Sequence, residues 1–182
     1  RPLCHLFLNH PDGNDPRSPM FLKRSAARVV LLDRSARIFM VNAEDPLDPF
    51  KPAWWEIPGG GVGRGEDSAA AAARELYEET GIVDVEMGPV IWTQRVQFTF
   101  GGYYFDSDER IHVAWCDGGE YRPRHLEALE AAAFLGARWW EVDELLVSEE
   151  PVLPALLRDH LAPIAAGELP VEPIDISPVP ID

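Results

Sequence analysis

Cysteine is almost missing from this sequence: Cys4 and Cys116 are the only two among 182 residues. Two thiols so far apart cannot build a disulfide framework, and their spacing fits no zinc motif. Cys116 reads as a buried strand residue. The five histidines are scattered, with no pair at metal-ligand spacing, which leaves them as ordinary surface or core residues. No apolar run approaches the length that crosses a bilayer, so a membrane-bound role is not expected. The first residues lack the charged, apolar and small-residue succession of a secretory leader, and a reducing cytoplasm is the default expectation. Positive charge is scarce too. Lys and Arg number 16 against 31 Asp and Glu, a net charge of -15. This argues against broad, sequence-independent binding to nucleic acid, which relies on cations against phosphates. An anionic substrate would need a local cation.

What is present suits one domain. The length and the 46% hydrophobic content allow a sizeable single core. Residues 1–19, rich in turn formers, read as an N-terminal arm or added segment that carries no chemistry. Residues 20–166 form the expected domain. Residues 167–182 are a proline-rich tail, "ELPVEPIDISPVPID" from Glu168, whose composition is that of extended or disordered chain. A neighbouring subunit is one candidate for what this tail packs on, and hence a homodimer is one expectation. No internal repeat is visible.

Between these ends, "ARVVLLD", the turn "RSA" and "RIFMVN" predict a hairpin from Ala27. A proline-rich loop at 45–53 leads into a short strand at "WWEI". "PGGGVGRGE" is too glycine-rich for regular structure. A helix follows over Ser68–Thr80, with Ser68 as the expected N-cap and Gly81 as the left-handed stop. Strands are predicted at 89–100 and 109–116, a helix at 123–134, a strand at "ARWWEV", a short helix at "DELL" and a further helix over 151–166. Strands on both sides of a central helix, with more helices late in the chain, predict an α/β sandwich with a mixed sheet.

The central helix poses a charge problem. Glu75, Glu78 and Glu79 share an arc of about 100° in its last turn, where the macrodipole is already negative. Ala69, Ala72, Ala73, Leu76 and Thr80 lie on the adjoining arc and would seat the helix against a sheet. An acidic helix face is ordinarily a solvated one. Here, however, the acids sit where the dipole penalises them, the core-facing side is pinned and a glycine loop immediately precedes the helix. A divalent cation held by carboxylate oxygens, with its other sites left to water and phosphate, would resolve the repulsion. The glycines would allow close approach of a ligand or of a backbone carbonyl.

The stretch "GGVGRGEDSAAAAARELYEETGI" resembles the signature of the Nudix hydrolases, the MutT-like family. Gly60, Glu66, Arg74, Glu75, Leu76, Glu78, Glu79, Gly81 and Ile82 fill every fixed position of that motif. The resemblance implies a Nudix-type α/β/α sandwich and hydrolysis of a nucleoside diphosphate linked to another group, with Mg²⁺ or Mn²⁺. It implies that Glu75, Glu78 and Glu79 bind metal with the carbonyl of Gly59. Glu66 and Arg74 would organise the loop and helix, with Gly60 and Gly81 as structural positions. The general base is Glu75 or an acid outside the motif. Glu109 in "DSDERIHV" and Glu130 in "LEALEAAAFLGARWW" are the outside candidates, with Glu127 one turn before Glu130.

Trp54, Trp55, Phe98, Phe100, Tyr103 and Tyr104 offer rings for base stacking, although strands use such residues for packing anyway. Trp55, Phe100 and the cation Arg95 are the candidate substrate contacts. Nucleoside triphosphates, ADP-ribose, dinucleoside polyphosphates and nucleotide sugars all fit this reading. A nucleotide sensor on the same fold, or a diphosphate isomerase, is the alternative. The sensor reading goes with lost motif glutamates, and none is lost here.

Overall fold

Alternation along β1 (Met20–Asp33) sets the architecture. Val29 and Leu31 point to one side of the sheet, while Val30 and Leu32 point to the other, and both sides are fully buried. The computed structural model describes residues 20–179. The expected arm at 1–19 and residues 180–182 lie outside the described residues. β1 runs parallel to β6 (Tyr103–Cys116) from Met20 opposite Tyr103 to Asp33 opposite Cys116. It also pairs with β2 (Ile38–Ala43) and with β4 (Gly59–Gly61). β2 carries β3 (Trp54–Glu56) and β7 (Phe134–Trp140) as partners, and β3 pairs with β8 (Val152–Leu153). On the other side β6 pairs antiparallel with β5 (Glu86–Phe100), through a turn at Gly101 and Gly102. These strands, with β9 (Ile174–Asp175) at the β5 edge, make one mixed sheet among the described residues.

Helices cover both faces. α1 (Ser68–Thr80) packs Ala71, Ala72 and Leu76 against Ala27, Val29, Leu31 and Phe39. α3 (Val142–Val147) and α4 (Leu157–Ala165) pack Leu145, Leu157, Leu161 and Ile164 against Val30, Leu32, Trp92, Ile111 and Val113. The layered α/β sandwich is therefore as expected, while several local details differ. Ala71 takes the buried position expected of Ala73, which is exposed. The N-cap of α1 is Asp67, whose Oδ1 accepts from the Ala70 amide at 2.8 Å. Ser68 instead bonds through Oγ to His112 Nε2 at 2.9 Å.

The glycine stretch is not wholly irregular, because Gly59–Gly61 form strand β4 on β1. A Cβ at Gly59 would collide with the backbone of Ala27 and Arg28, so only glycine fits that close pairing. β1 and β6 both start earlier than expected, because their first halves pair with each other. The helix predicted at 123–134 shrinks to α2 (Ala128–Ala133). The preceding amides are used elsewhere: Arg122 donates to the Thr80 carbonyl, and Arg124 and His125 donate to that of Glu78. They satisfy the end of α1 instead of a helix of their own. The tail packs on its own chain. β9 lies parallel to β5, and Ile176 enters the core.

Candidate active site

The cleft is a continuation of one core face. Along β1 the side that carries Leu32 and Val30 continues as Arg28 and Arg24. On β6, Val113 and Ile111 give way to Glu109, Ser107 and Phe105, and on β5, Trp92 gives way to Gln94, Val96 and Phe98. Register puts these residues side by side, since Ala26 pairs with Glu109, Gln94 with Glu109, and Phe98 with Phe105. An aliphatic core thus becomes a polar and aromatic hollow without leaving the sheet face. It has a volume of about 850 Å³ and is closed by β4, α1 and the start of α2.

Three acids converge in its wall. Glu75 and Glu79 from α1 and Glu130 from α2 each place a carboxylate oxygen within 4.8 Å of the others. Glu79 Oε2 accepts from the Gly59 amide at 2.9 Å. Glu130 Oε2 accepts from the Glu127 amide at 2.9 Å, closing the capping box of α2. The absence of a side chain at Gly60 makes room for Glu75, whose carboxylate would lie 2.5 Å from a Cβ there. Burial pushes the Glu79 carboxyl well above its usual range against the Gly59 amide, and the charges of Glu56 and Glu130 push it further. Glu130 is raised in the same way, by burial and by the neighbouring charges of Glu127, Glu75 and Glu56. A cluster of hard oxygen donors whose charges repel one another in a partly buried setting fits a divalent cation of the Mg²⁺ or Mn²⁺ type.

Arg74 organises the motif around this cluster. Its Nε and Nη2 reach the two oxygens of Glu66 at 3.0 Å each, Nη2 donates to the Gly61 carbonyl at 2.9 Å, and Nη1 donates to Glu75 Oε1 at 2.7 Å. The Arg74 hydrogen bonds, aided by the Gly63 amide, bring the Glu66 carboxyl down to about 2. Glu78 stands outside the three-acid group, with Oε2 3.3 Å from Arg74 Nη1. Gly81 is away from the cleft. It ends α1 at φ 69°, and a Cβ there would strike the Arg122 carbonyl. Gly59, by contrast, lines the cleft.

Glu109 lies in the middle of β6, not at a strand start, and is buried. It accepts from Arg28 Nε at 3.0 Å, Gln94 Nε2 at 2.6 Å and Ser107 Oγ at 3.2 Å. Burial alone would raise its carboxyl, but Arg28, Gln94 and Arg24 outweigh it and hold the group below its usual value. Arg24 lies over the Phe105 ring at 4.6 Å and the Phe98 ring at 5.8 Å.

The aromatic candidates divide by strand parity. Phe100 lines the cleft with Trp54, the two rings edge to face at 6.1 Å. Trp55 points the other way and packs edge to face on Trp140 at 5.2 Å, so it is not a cleft residue. Arg95 borders the cleft, but its guanidinium grips Asp106 at 2.9 and 3.1 Å. By strand alternation it lies on the face opposite Gln94. Arg24, Arg28, Glu56 and Gln94 were not singled out from the sequence. The period-two run Arg24, Ala26, Arg28, Val30, Leu32 is the signal that would have revealed the two arginines.

The NUDIX domain family model matches residues 22–160. The chain belongs to the Nudix family. Among curated relatives of this Nudix chain, the RNA pyrophosphohydrolase of Novosphingobium aromaticivorans is 30% identical over 138 residues, spanning 67% of this chain and 80% of the relative. That of Caulobacter vibrioides is 41% identical over 124 residues, 64% of this chain and 70% of the relative. Solved structures share the fold at low identity. The MutT protein from Methanosarcina mazei Go1 has a TM-score of 0.55 at 16% identity, covering 84% of this chain and 98% of its own. An ADP-ribose pyrophosphatase from Streptococcus suis has the same TM-score and identity, covering 84% and 97%. With its Nudix motif complete, the chain is a Nudix-type hydrolase of pyrophosphate bonds. No helix among the described residues is long and apolar enough to cross a membrane.

Proposed function

We propose that this Nudix chain hydrolyses the pyrophosphate bond of a nucleoside diphosphate linked to a further group, and that it requires Mg²⁺ or Mn²⁺ to do so. The observation that carries this reading is the convergence of Glu75, Glu79 and Glu130 in the wall of a nucleotide-sized cleft. A bound divalent ion would neutralise phosphate oxygens and acidify a coordinated water. The chain's own contributions are then distinct. Glu75, Glu79 and Glu130 would hold the ion, with the Gly59 carbonyl as the backbone ligand implied by the family pattern. Arg74 keeps Glu75 and the glycine strand in place, with Glu78 held beside it. The proton of the attacking water passes to Glu75 or Glu130. Glu109 is not suited to take it, because its oxygens are engaged by Arg28, Gln94 and Ser107. Its role is to fix Arg28 as a buried cation in the cleft wall. Phe98, Phe105 and Phe100 supply faces for a base or sugar.

The name of the curated relatives adds RNA to the substrate candidates. Because RNA is joined internally by monophosphodiesters, its pyrophosphate bonds lie at a polyphosphorylated 5′ end. The test is phosphate release with Mg²⁺ or Mn²⁺ over GTP, ADP-ribose, a dinucleoside polyphosphate, a nucleotide sugar and 5′-triphosphorylated RNA. Turnover of at least one, abolished by chelation, is expected. Glu79→Gln keeps an acceptor for the Gly59 amide and is expected to cut turnover by at least about 100-fold, beyond the roughly 10- to 100-fold typical of groups that only orient ligands. Wild-type turnover by Glu79→Gln removes the cluster from the mechanism, and binding without turnover by the native chain makes it a sensor.

A further inference from the structure

Residues 167–179 lie about a hundred positions from the motif helix and outside the matched family region, yet they reach the active-site cleft. After β9 pairs with Trp92 and Thr93 of β5, the Ile176 amide donates to the Thr93 carbonyl at 2.8 Å and the Ile176 side chain is buried. Ser177 then continues along the β5 edge. Its Oγ accepts from the Arg95 amide at 2.8 Å, and both its amide and its hydroxyl donate to Asp175 Oδ1, at 2.9 and 2.6 Å. These bonds fold the segment over, and Ser177, Pro178 and Val179 line the same cleft as Glu75, Glu79 and Glu130. The segment is therefore anchored on one side by a core residue and opens on the other to the substrate space.

The geometry points to a selectivity role: Ser177–Val179 form a wall of the substrate site that favours a compact, mononucleotide-sized diphosphate over a polynucleotide 5′ end. This rests on the pyrophosphohydrolase reading above. Three independent features support it. The cleft volume of about 850 Å³ lies within the roughly 300–1,000 Å³ of sites that enclose one small ligand. The wall stands along the β5 edge, held to Thr93 through Ile176 and to Arg95 through Ser177, and so narrows the cleft on that flank. Finally, the segment is acidic, with Glu168 and Glu172 exposed, on a chain of net charge -15, which opposes the approach of a polyanion. The side-chain hydrogen bonds of Ser177 go to Arg95 and Asp175 and not to the three acids, so the wall acts on which substrate is held and not on the chemical step.

The experiment compares the native chain, a chain shortened after Ile176 and the full-length Ser177→Ala variant. Ending after Ile176 keeps β9 and the core anchor, and Ser177→Ala frees the wall without shortening anything. Thermal melting checks that both fold. Steady-state kinetics are measured on the best small substrate of the panel and on a short 5′-triphosphorylated RNA. The native chain is expected to prefer the small substrate. Shortening is expected to raise KM for it by roughly tenfold, with kcat within about twofold, the scale of losing a small pocket contact. The ratio of kcat/KM for RNA to that for the small substrate is expected to rise by a similar factor, with Ser177→Ala moving both in the same direction by less. Unchanged KM and ratio in the folded variants, or a native preference for RNA, overturns the proposal. If the native chain turns over nothing with either metal, the hydrolase reading fails separately. The wall is then judged by calorimetric binding of ADP with Mg²⁺, where weaker binding to the shortened chain supports it and equal affinities overturn it.

Discussion

Arg28 and Glu109 form an ion pair with little contact with water, their side chains 14% and 1% exposed at 3.0 Å. Removing one charge from such a pair leaves the other uncompensated, so Glu109→Gln is expected to lower stability by about 3 kcal/mol at neutral pH, read by urea unfolding. The pH dependence follows from the depressed Glu109 carboxyl. A group held below its unfolded value of about 4.3 contributes stability that is complete above that value and is lost as the pH falls through the lower, folded value. The native chain therefore loses stability on acidification below about pH 5, and Glu109→Gln shows a shallower acid limb; parallel acid limbs would contradict the assignment. Legibility differed from residue to residue. Glu75, Glu78 and Glu79 are contiguous and stand out because they oppose the helix dipole. Glu130 was found as one of two outside acids, but its meeting with Glu75 and Glu79 depends on where the loop before α2 docks. Arg24, Arg28 and Glu56 come from separate strands, and only the assembled sheet makes them neighbours. Trp54 and Trp55 could not be told apart by composition, since in a three-residue strand parity alone decides which ring faces the cleft.

At the level of elements, the strand–helix pair β4–α1 is the working unit. β4 lies against β1 without side chains, which lets the carboxylates of α1 come close to the strand backbone. Gly60→Ala tests this directly. Its backbone lies outside the left-handed region, so the cost falls on the Glu75 carboxylate 2.5 Å from the new methyl group. Turnover is expected to fall on the order of a hundredfold, as for an ångström-scale misplacement of a reacting group, with the melting temperature little changed. Full activity in Gly60→Ala would show that the position of Glu75 does not matter. The bounds of α1 were readable because Gly81 is an unmistakable stop and the alanine run has no competing period. Its cap lies one residue before the expected Ser68, since Asp67 and Ser68 are both good caps and only the pairing of Ser68 with His112 separates them. The glycine strand was hidden because glycine carries no strand propensity, and its pairing comes from β1. α2 is shorter than its sequence pattern because the amides of Arg122, Arg124 and His125 before it serve the end of α1, a tertiary demand that no local pattern records.

For the molecule as a whole, the sheet carries the α1 cluster and the late wall at 177–179 to a common cleft from segments about a hundred positions apart. A tail whose composition resembles disordered chain is ordered here because Ile176 reaches the core and β5 offers an unpaired edge. The alternation of the long strands made the sandwich readable, whereas this late edge pairing rests on a two-residue strand with no period to detect. The acidic charge of the chain fits a site that concentrates negative charge to hold a cation, with Arg24 and Arg28 as the local positive groups that an anionic substrate requires. The most direct measurement is anomalous diffraction from crystals grown with Mn²⁺ and a non-hydrolysable ADP analogue. A manganese peak beside the carboxylates of Glu75, Glu79 and Glu130 is expected. A featureless map at that point, at a manganese concentration that sustains turnover in solution, would contradict it.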